Sequence, residues 1–240
     1  MIPARKPQLL TLLVSLKRKL WKRWASTLVV LAFLTVEIGW AAVVVMANKG
    51  TDFYLYYLAA EALKRGLDIY GLDNTAWQQL AIEVGVPHYA PPYRYPPLIA
   101  TMIEPLTLLP PRHAFAVWCG ANALLLLATA FLLSRWIAGQ WVAPWIFIGL
   151  AGYVPVLTTV YAGQVNLFVF LSVVAYLFAF TRGRLAGAGL ALATGIMLKP
   201  IPAPLALHAA WKFQARIVLW LFIGLVLLGL ITIPFIGLKP

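Results

Sequence analysis

Long apolar runs separated by short polar breaks make up most of this chain, and one polar stretch, residues 48–97, interrupts them. The first apolar run spans 25–47, close to the roughly twenty residues an α-helix needs to cross a bilayer. After the polar stretch, apolar segments follow at about 98–109, 113–133, 142–160, 167–181, 185–211 and 217–235. Runs of this length and frequency predict an all-α polytopic membrane protein. Segment 98–109 is short for a span and carries Glu104 and Pro105. If it crosses, the chain has seven spans; if it lies at the interface, six. The six-span arrangement puts Arg182 and Arg184 in the cytoplasm and is the better positive-inside fit. No internal repeat is visible, which weakens a transporter built from inverted halves. No low-complexity linker divides the chain either. Residues 1–24 read as a basic cytoplasmic or interfacial segment, and 25–240 as a single transmembrane domain that includes the external loop 48–97.

Composition agrees, with 62% hydrophobic residues, 11% charged residues and a mean hydropathy of +0.86. A net charge of +12 would suggest nucleic acid in a soluble protein. Here the basic residues flank apolar runs, so they suit anionic lipid at cytoplasmic span ends, and no nucleic-acid partner is expected. The N-terminus holds Arg5, Lys6, Lys17, Arg18, Lys19, Lys22 and Arg23 without one acid. That places it in the cytoplasm, where Leu9, Leu12, Leu13, Leu16 and Leu20 suit an interfacial amphipathic helix. The first run lacks a small-residue cleavage site and reads as an uncleaved signal anchor. Cys119 is the lone cysteine and lies in an apolar run, as a small buried hydrophobe would. His88, His113 and His208 are far apart in sequence with no ligand at metal spacing. Neither a metal nor a cofactor is expected.

Polar chemistry is therefore scarce, and five of the seven carboxylates fall within 48–97. Thr51 suits a helix N-cap, which would put Asp52 in the first turn, where the helix dipole favours an anion. The helix should run to Arg65 as an amphipathic element, with a Glu61–Arg65 pair one turn apart and Gly66 at its stop. A second short helix is predicted over 75–84, followed by an extended, proline-punctuated segment over 87–97. Asp52 suits a general base at the membrane–exterior boundary; the plainer reading is a helix-start Asp that only caps. Tyr93-Arg94-Tyr95-Pro96-Pro97 sets an Arg beside two phenols on a stiff segment, which suits a phosphate or a sugar, or equally an aromatic belt. Gly163-Gln164-Val165-Asn166 offers two amides that could bond sugar hydroxyls or cap a helix end. Lys199-Pro200 breaks a long apolar run and offers a cation to an anionic head group or to a span end. Glu37, inside the first run, is a site candidate or a helix-pairing group.

The order of these pieces is more specific than any one of them. A basic tail and a span precede Thr51-Asp52-Phe53, Tyr56-Tyr57, Ala62-Leu63, Gly66 and Tyr70. There follow Tyr93-x-Tyr95-Pro96-Pro97-Leu98, Glu104-Pro105-Leu106-x-x-Leu109-Pro110, Ala114-x-x-x-Trp118, Gly163-Gln164-x-Asn166 and Gly195-x-x-Leu198-Lys199-Pro200. This series resembles glycosyltransferase family 87 of the C-type superfamily, which includes polyprenol-phosphate-mannose-dependent mannosyltransferases. The resemblance implies a module of seven spans, the second starting just after the proline pair, in a multi-pass protein of a bacterial plasma (inner) membrane. It implies a hexose, mannose first, moved from a polyprenyl-phosphate-sugar donor to a lipid-linked or glycan acceptor on the outer face, with inversion. Asp52 stands where the family's base is expected. Tyr56, Tyr93, Arg94, Tyr95, Gln164, Asn166 and Lys199 become expected substrate contacts, with Arg94 and Lys199 on the departing phosphate. Members of the family carry further spans, so the chain is also expected to be the N-terminal part of a longer protein. Two other readings stand beside this one. A transporter or lipid flippase would use Glu37 and the Lys199 break but leaves the acidic loop unexplained. A non-catalytic remnant would tolerate Asp52→Ala.

Overall fold

The computed structural model describes residues 24, 27, 28, 31, 32, 35, 36, 39, 40, 42–47, 49–87, 92–137, 143–212 and 214–236. The expected interfacial helix before residue 24, Glu37 and His88 lie outside the described residues. Among the described residues the structure is helical, without a strand. Those between 24 and 46 are helical and mostly exposed, with Trp24, Leu28, Val36 and Met46 presenting bare apolar surface.

Helix α1 is Thr51–Lys64 and α2 is Asn74–Val84. Short α3, Pro97–Ile103, continues as a 3-10 turn over Glu104–Leu108. Next come α4 (Pro111–Ile137), α5 (Ala143–Ala151), α6 (Val154–Ala162) and α7 (Asn166–Thr181). Last are α8 (Leu185–Leu198), α9 (Ala203–Trp211) and α10 (Ala215–Ile236). Two of these, Pro111–Ile137 and Ala215–Pro234, are long and apolar enough to cross a membrane. Both leave most of their surface uncovered by the rest of the chain, which for apolar helices points to lipid rather than to a soluble core. α4 packs against α5 and α7, α7 against α8, and α8 against α10. α8 and α10 meet through Gly189 and Gly224, where an added Cβ would lie 2.6 Å from Ile217 O and Ala193 Cβ respectively, the close backbone approach that small residues permit.

α1 departs from expectation. Residues Phe53 to Leu63 are buried on every face, so α1 is the hub of the largest core cluster and not an amphipathic surface helix. Its sequence explains this: only Glu61 is charged within that stretch, and Ala59, Ala60 and Ala62 let neighbours approach closely. Glu61 sits at the rim, 3.6 Å from Lys64 and 3.8 Å from Arg65, and Arg65 also meets Glu83 of α2 at 2.7 Å. The chain leaves α1 through Gly66 in a left-handed conformation, and α2 is capped by the Asp73 carboxylate on the Ala76 amide at 2.8 Å.

The segment expected as a short second span is shorter than a full crossing of the hydrocarbon needs. Its twelve residues, Pro97–Leu108, reach about 18 Å as a helix, against ~30 Å of hydrocarbon. Both of its ends also rest on α1. Tyr95, just before it, bonds Asp52, and the Leu109 carbonyl, just after it, accepts from the Tyr57 hydroxyl at 2.8 Å. Asp52 and Tyr57 are five residues apart on one helix, ~8 Å along its axis. Glu104-Pro105 is where α-helix gives way to 3-10 geometry, because proline removes a donor and crowds the preceding turn.

Candidate functional site

Gly50 brings the chain into α1. Its φ of 100° is a left-handed conformation, and an added Cβ would lie 2.6–2.9 Å from the Phe115 ring. Gly50, not Thr51, is therefore the N-cap, and no side chain caps this end; the turn needs a left-handed residue that only glycine supplies without strain. Asp52 then falls in the first helical turn, half-buried, where the exposed N–H groups favour an anion.

Three other stretches of chain converge on this carboxylate. The Tyr95 hydroxyl donates to Asp52 Oδ1 at 2.9 Å, and the Gln164 amide donates to Oδ2 at 3.0 Å. Asn166 Nδ2 donates to Gln164 Oε1, and the Lys199 ammonium donates to Asn166 Oδ1 at 3.0 Å. The direction of this row is dictated by its ends. Lysine can only donate, so Asn166 must turn its carbonyl to Lys199 and its NH2 to Gln164; Gln164 is then left with its NH2 for a carboxylate that accepts. A cation and an anion are thus joined through two aligned amides, and among the described residues no ion pair reaches Asp52.

Local sequence chemistry puts each member in place. Tyr95 precedes two prolines, Pro96 extended at φ −55°, ψ 147° and Pro97 at the first turn of α3, so its segment is stiff. The Tyr70 hydroxyl holds the Tyr95 carbonyl, and the Tyr93 hydroxyl holds that of Pro96, each at 2.8 Å. Gln164 follows Gly163, which ends α6 at φ 70°, and the Gln164 N–H closes that helix on the Thr159 carbonyl at 2.9 Å. Asn166 opens α7 and also donates to Thr159 Oγ1 at 3.3 Å. Lys199 ends α8 in an extended conformation (φ −158°, ψ 128°), as the residue before Pro200 must, and its ammonium lies 5.9 Å from the centre of the Tyr95 ring.

The remaining expected contacts fall elsewhere. Tyr56 is fully buried, with its ring edge-on to Tyr95 at 4.9 Å, so it lies behind the Tyr95 ring. Its hydroxyl faces Tyr95 and the Val165 backbone without a partner at hydrogen-bonding geometry, and burial pushes its phenol well above the ordinary value. Tyr93 is likewise buried and serves the loop. Arg94 is exposed and has no hydrogen bond or ion pair among the described residues, since alternation along the extended segment turns it away from Tyr93 and Tyr95. Burial raises the Tyr95 phenol above its ordinary value, with the Asp52 charge adding to the effect, so it remains a protonated donor. Thr159 was not among the sequence candidates; its one signal was a hydroxyl one turn before a helix-ending glycine.

Both ends of the row keep capacity for a ligand. An ionised carboxylate offers about four lone-pair sites, of which two are taken, and an ammonium has three N–H donors, of which one is taken. The arrangement can accept a proton from a hydroxyl at one end and bind an anion at the other. Among the described residues no group of three or more His, Cys, Asp or Glu side chains is placed to hold a metal ion.

Residues 93–239, more than half of the chain, match the sequence model of glycosyltransferase family 87. Tyr95, Gln164, Asn166 and Lys199 lie inside the matched region; Asp52 precedes it. No curated protein and no solved structure matches the chain.

Proposed function

The chain belongs to glycosyltransferase family 87, which makes it a membrane glycosyltransferase, and from that premise we propose a specific reaction. The enzyme moves a hexose, mannose first, from a polyprenyl-phosphate donor to a glycolipid or lipoglycan acceptor on the outer face of a bacterial plasma membrane. The acceptor hydroxyl attacks the anomeric carbon and its proton passes to Asp52. The new carbon–oxygen bond forms as the bond to phosphate breaks, and polyprenyl phosphate departs as the anion with inversion of configuration. One carboxylate suffices because a phosphate leaving group needs less protonation than a sugar alkoxide, so no glycosidase-like pair is required.

The observation that carries this reading is the row from Lys199 through Asn166 and Gln164 to Asp52. It aligns the carboxylate through two directed donors and sets a cation, with free N–H groups, at the other end. Tyr95 bridges the two ends, its hydroxyl on Asp52 and its ring near Lys199. On this reading Lys199 meets the developing charge of the leaving phosphate. Arg94 belongs to the surface over which a donor head group arrives. About seven helical segments are embedded in the membrane, and Pro97–Leu108 enters without crossing. Transfer of label from polyprenyl-phosphate-mannose to a membrane lipid extract, followed by the anomeric configuration of the product, tests the proposal. An inverted product is expected; a retained configuration is incompatible with a single in-line displacement and would defeat it.

A further inference from the structure

One element of the sequence pattern has no part in this reaction: Ala114-x-x-x-Trp118 on α4. Trp118 is 3% exposed, and its indole N–H donates to the Gly163 carbonyl at 2.9 Å. That carbonyl belongs to the same peptide group as the Gln164 N–H, which donates to Thr159 O. The peptide between Gly163 and Gln164 is therefore held at both edges, by Trp118 and by Thr159. Because a peptide is planar, pinning both edges sets its plane and thereby the direction in which the Gln164 side chain leaves the backbone. The indole has little freedom of its own: it stacks on Phe168 at 4.8 Å and lies against Phe53 and Tyr56 at 5.8 and 6.4 Å. One turn earlier on the same helix, Phe115 fills the space between two of the left-handed glycines, facing both Gly50 and Gly163. Gly50 lies two residues before Asp52, and Gly163 one before Gln164. A single face of α4 thus registers both partners of the Gln164–Asp52 hydrogen bond.

We infer that Trp118 is a positioning residue, acting through the Gly163–Gln164 peptide to align Gln164 with Asp52. The inference rests on the reading of Asp52 as the base. It differs from a role in packing alone because the indole N–H, not the bulk of the ring, carries it. Trp118→Phe removes that N–H while retaining an aromatic ring. The variant is expected to lose ~10-fold in kcat, the scale of a small misalignment at a reacting group, with KM for polyprenyl-phosphate-mannose unchanged.

Two further readouts separate positioning from general damage. In a Gln164→Ala background, Trp118→Phe should have almost no added effect, because the group it aligns is gone. Amide hydrogen exchange in Trp118→Phe should quicken within residues 159–168 and stay as it was elsewhere. Trp118→Tyr, which also lacks the N–H, serves if the phenylalanine variant fails to fold. Unchanged exchange over 159–168, or effects of Trp118→Phe and Gln164→Ala that multiply, would overturn the inference. Asp52→Asn, assayed alongside, tells the two readings apart. Full transfer by Asp52→Asn removes both, whereas loss there with multiplying effects at Trp118 and Gln164 removes only this one.

Discussion

Gly163→Ala is the most searching single perturbation of this structure, because its two costs separate cleanly. At φ 70° an alanine carries the strain of a left-handed residue, about 1–2 kcal/mol. The added Cβ would also lie 2.6 Å from Phe53 Cβ, 3.0 Å from Phe115 Cε2 and 3.3 Å from Phe53 N. Carbon atoms rest at roughly 3.5–4.0 Å, so Phe53 must withdraw by about 1 Å. Its Cβ cannot swing aside as a side-chain tip can, so α1 must move or the helix-ending turn must open. Overpacking of this kind adds about 1–3 kcal/mol, for a total of about 2–5 kcal/mol. Phe53 adjoins Asp52, and Gly163 adjoins Gln164, so the same displacement stretches their 3.0 Å hydrogen bond beyond bonding range. A shift of that size at a reacting group costs up to ~100-fold in rate. Gly183→Ala is the matched control, with φ 68° and open space around the added Cβ; it carries the strain alone. Thermal melting of both variants in detergent, with transfer rates on the folded fractions, is the assay. Equal destabilisation by the two substitutions, or a Gly163→Ala variant with full transfer, would refute the reasoning.

Other consequences are quicker to state. Tyr95→Phe removes the donor on Asp52 Oδ1, a charge-assisted bond of about 1.5–3 kcal/mol, and should lower kcat by roughly 10-fold or more with the fold intact by circular dichroism. Lys199→Met empties the cationic end of the row and should reduce kcat/KM for the phosphate-linked donor by ~10–100-fold, with Lys199→Arg recovering part of it in the same assay. Burial raises the folded-state values of Tyr56, Tyr93 and Tyr95 from 10.0. A raised value favours the protonated form in the folded state, so this stabilisation is complete below pH ~10 and fades as pH rises through the folded values; a melting series across that range should show a plateau and then an alkaline decline.

Local features were legible in the chain to the extent that local chemistry decides them. Asp52 in a first turn, the Glu61–Arg65 pair, the stop at Gly66 and a short helix ending at Val84 all follow from spacing and capping. The one-residue shift of the cap to Gly50 does not, because it depends on Phe115, far along the chain, filling the space a Cβ would need. Burial of α1 on all faces was hidden for a related reason: it depends on segments distant in sequence, α3 with its 3-10 continuation and α4 among them, packing around Tyr54, Tyr56 and Tyr57. Four polar pieces of the site were visible as residue types, yet their convergence was not, since Gln164 lies 112 residues and Tyr95 43 residues from Asp52. Arg94 shows the opposite case. Proximity in sequence to Tyr95 suggested a shared pocket, whereas alternation along an extended segment sends neighbours to different sides. Segment 98–109 had the composition of a span; the tethering of both its ends to α1 is a tertiary fact.

The central claim is that Asp52 takes the acceptor's proton as a lipid-linked sugar is transferred. Its most direct test compares the native chain with Asp52→Asn, using radiolabelled polyprenyl-phosphate-mannose and a membrane lipid extract. Asparagine keeps the size and can still accept from Tyr95, but it cannot take a proton, so the account predicts loss of transfer by ~100-fold or more with unchanged binding of the donor. Transfer by Asp52→Asn at the native rate would contradict it.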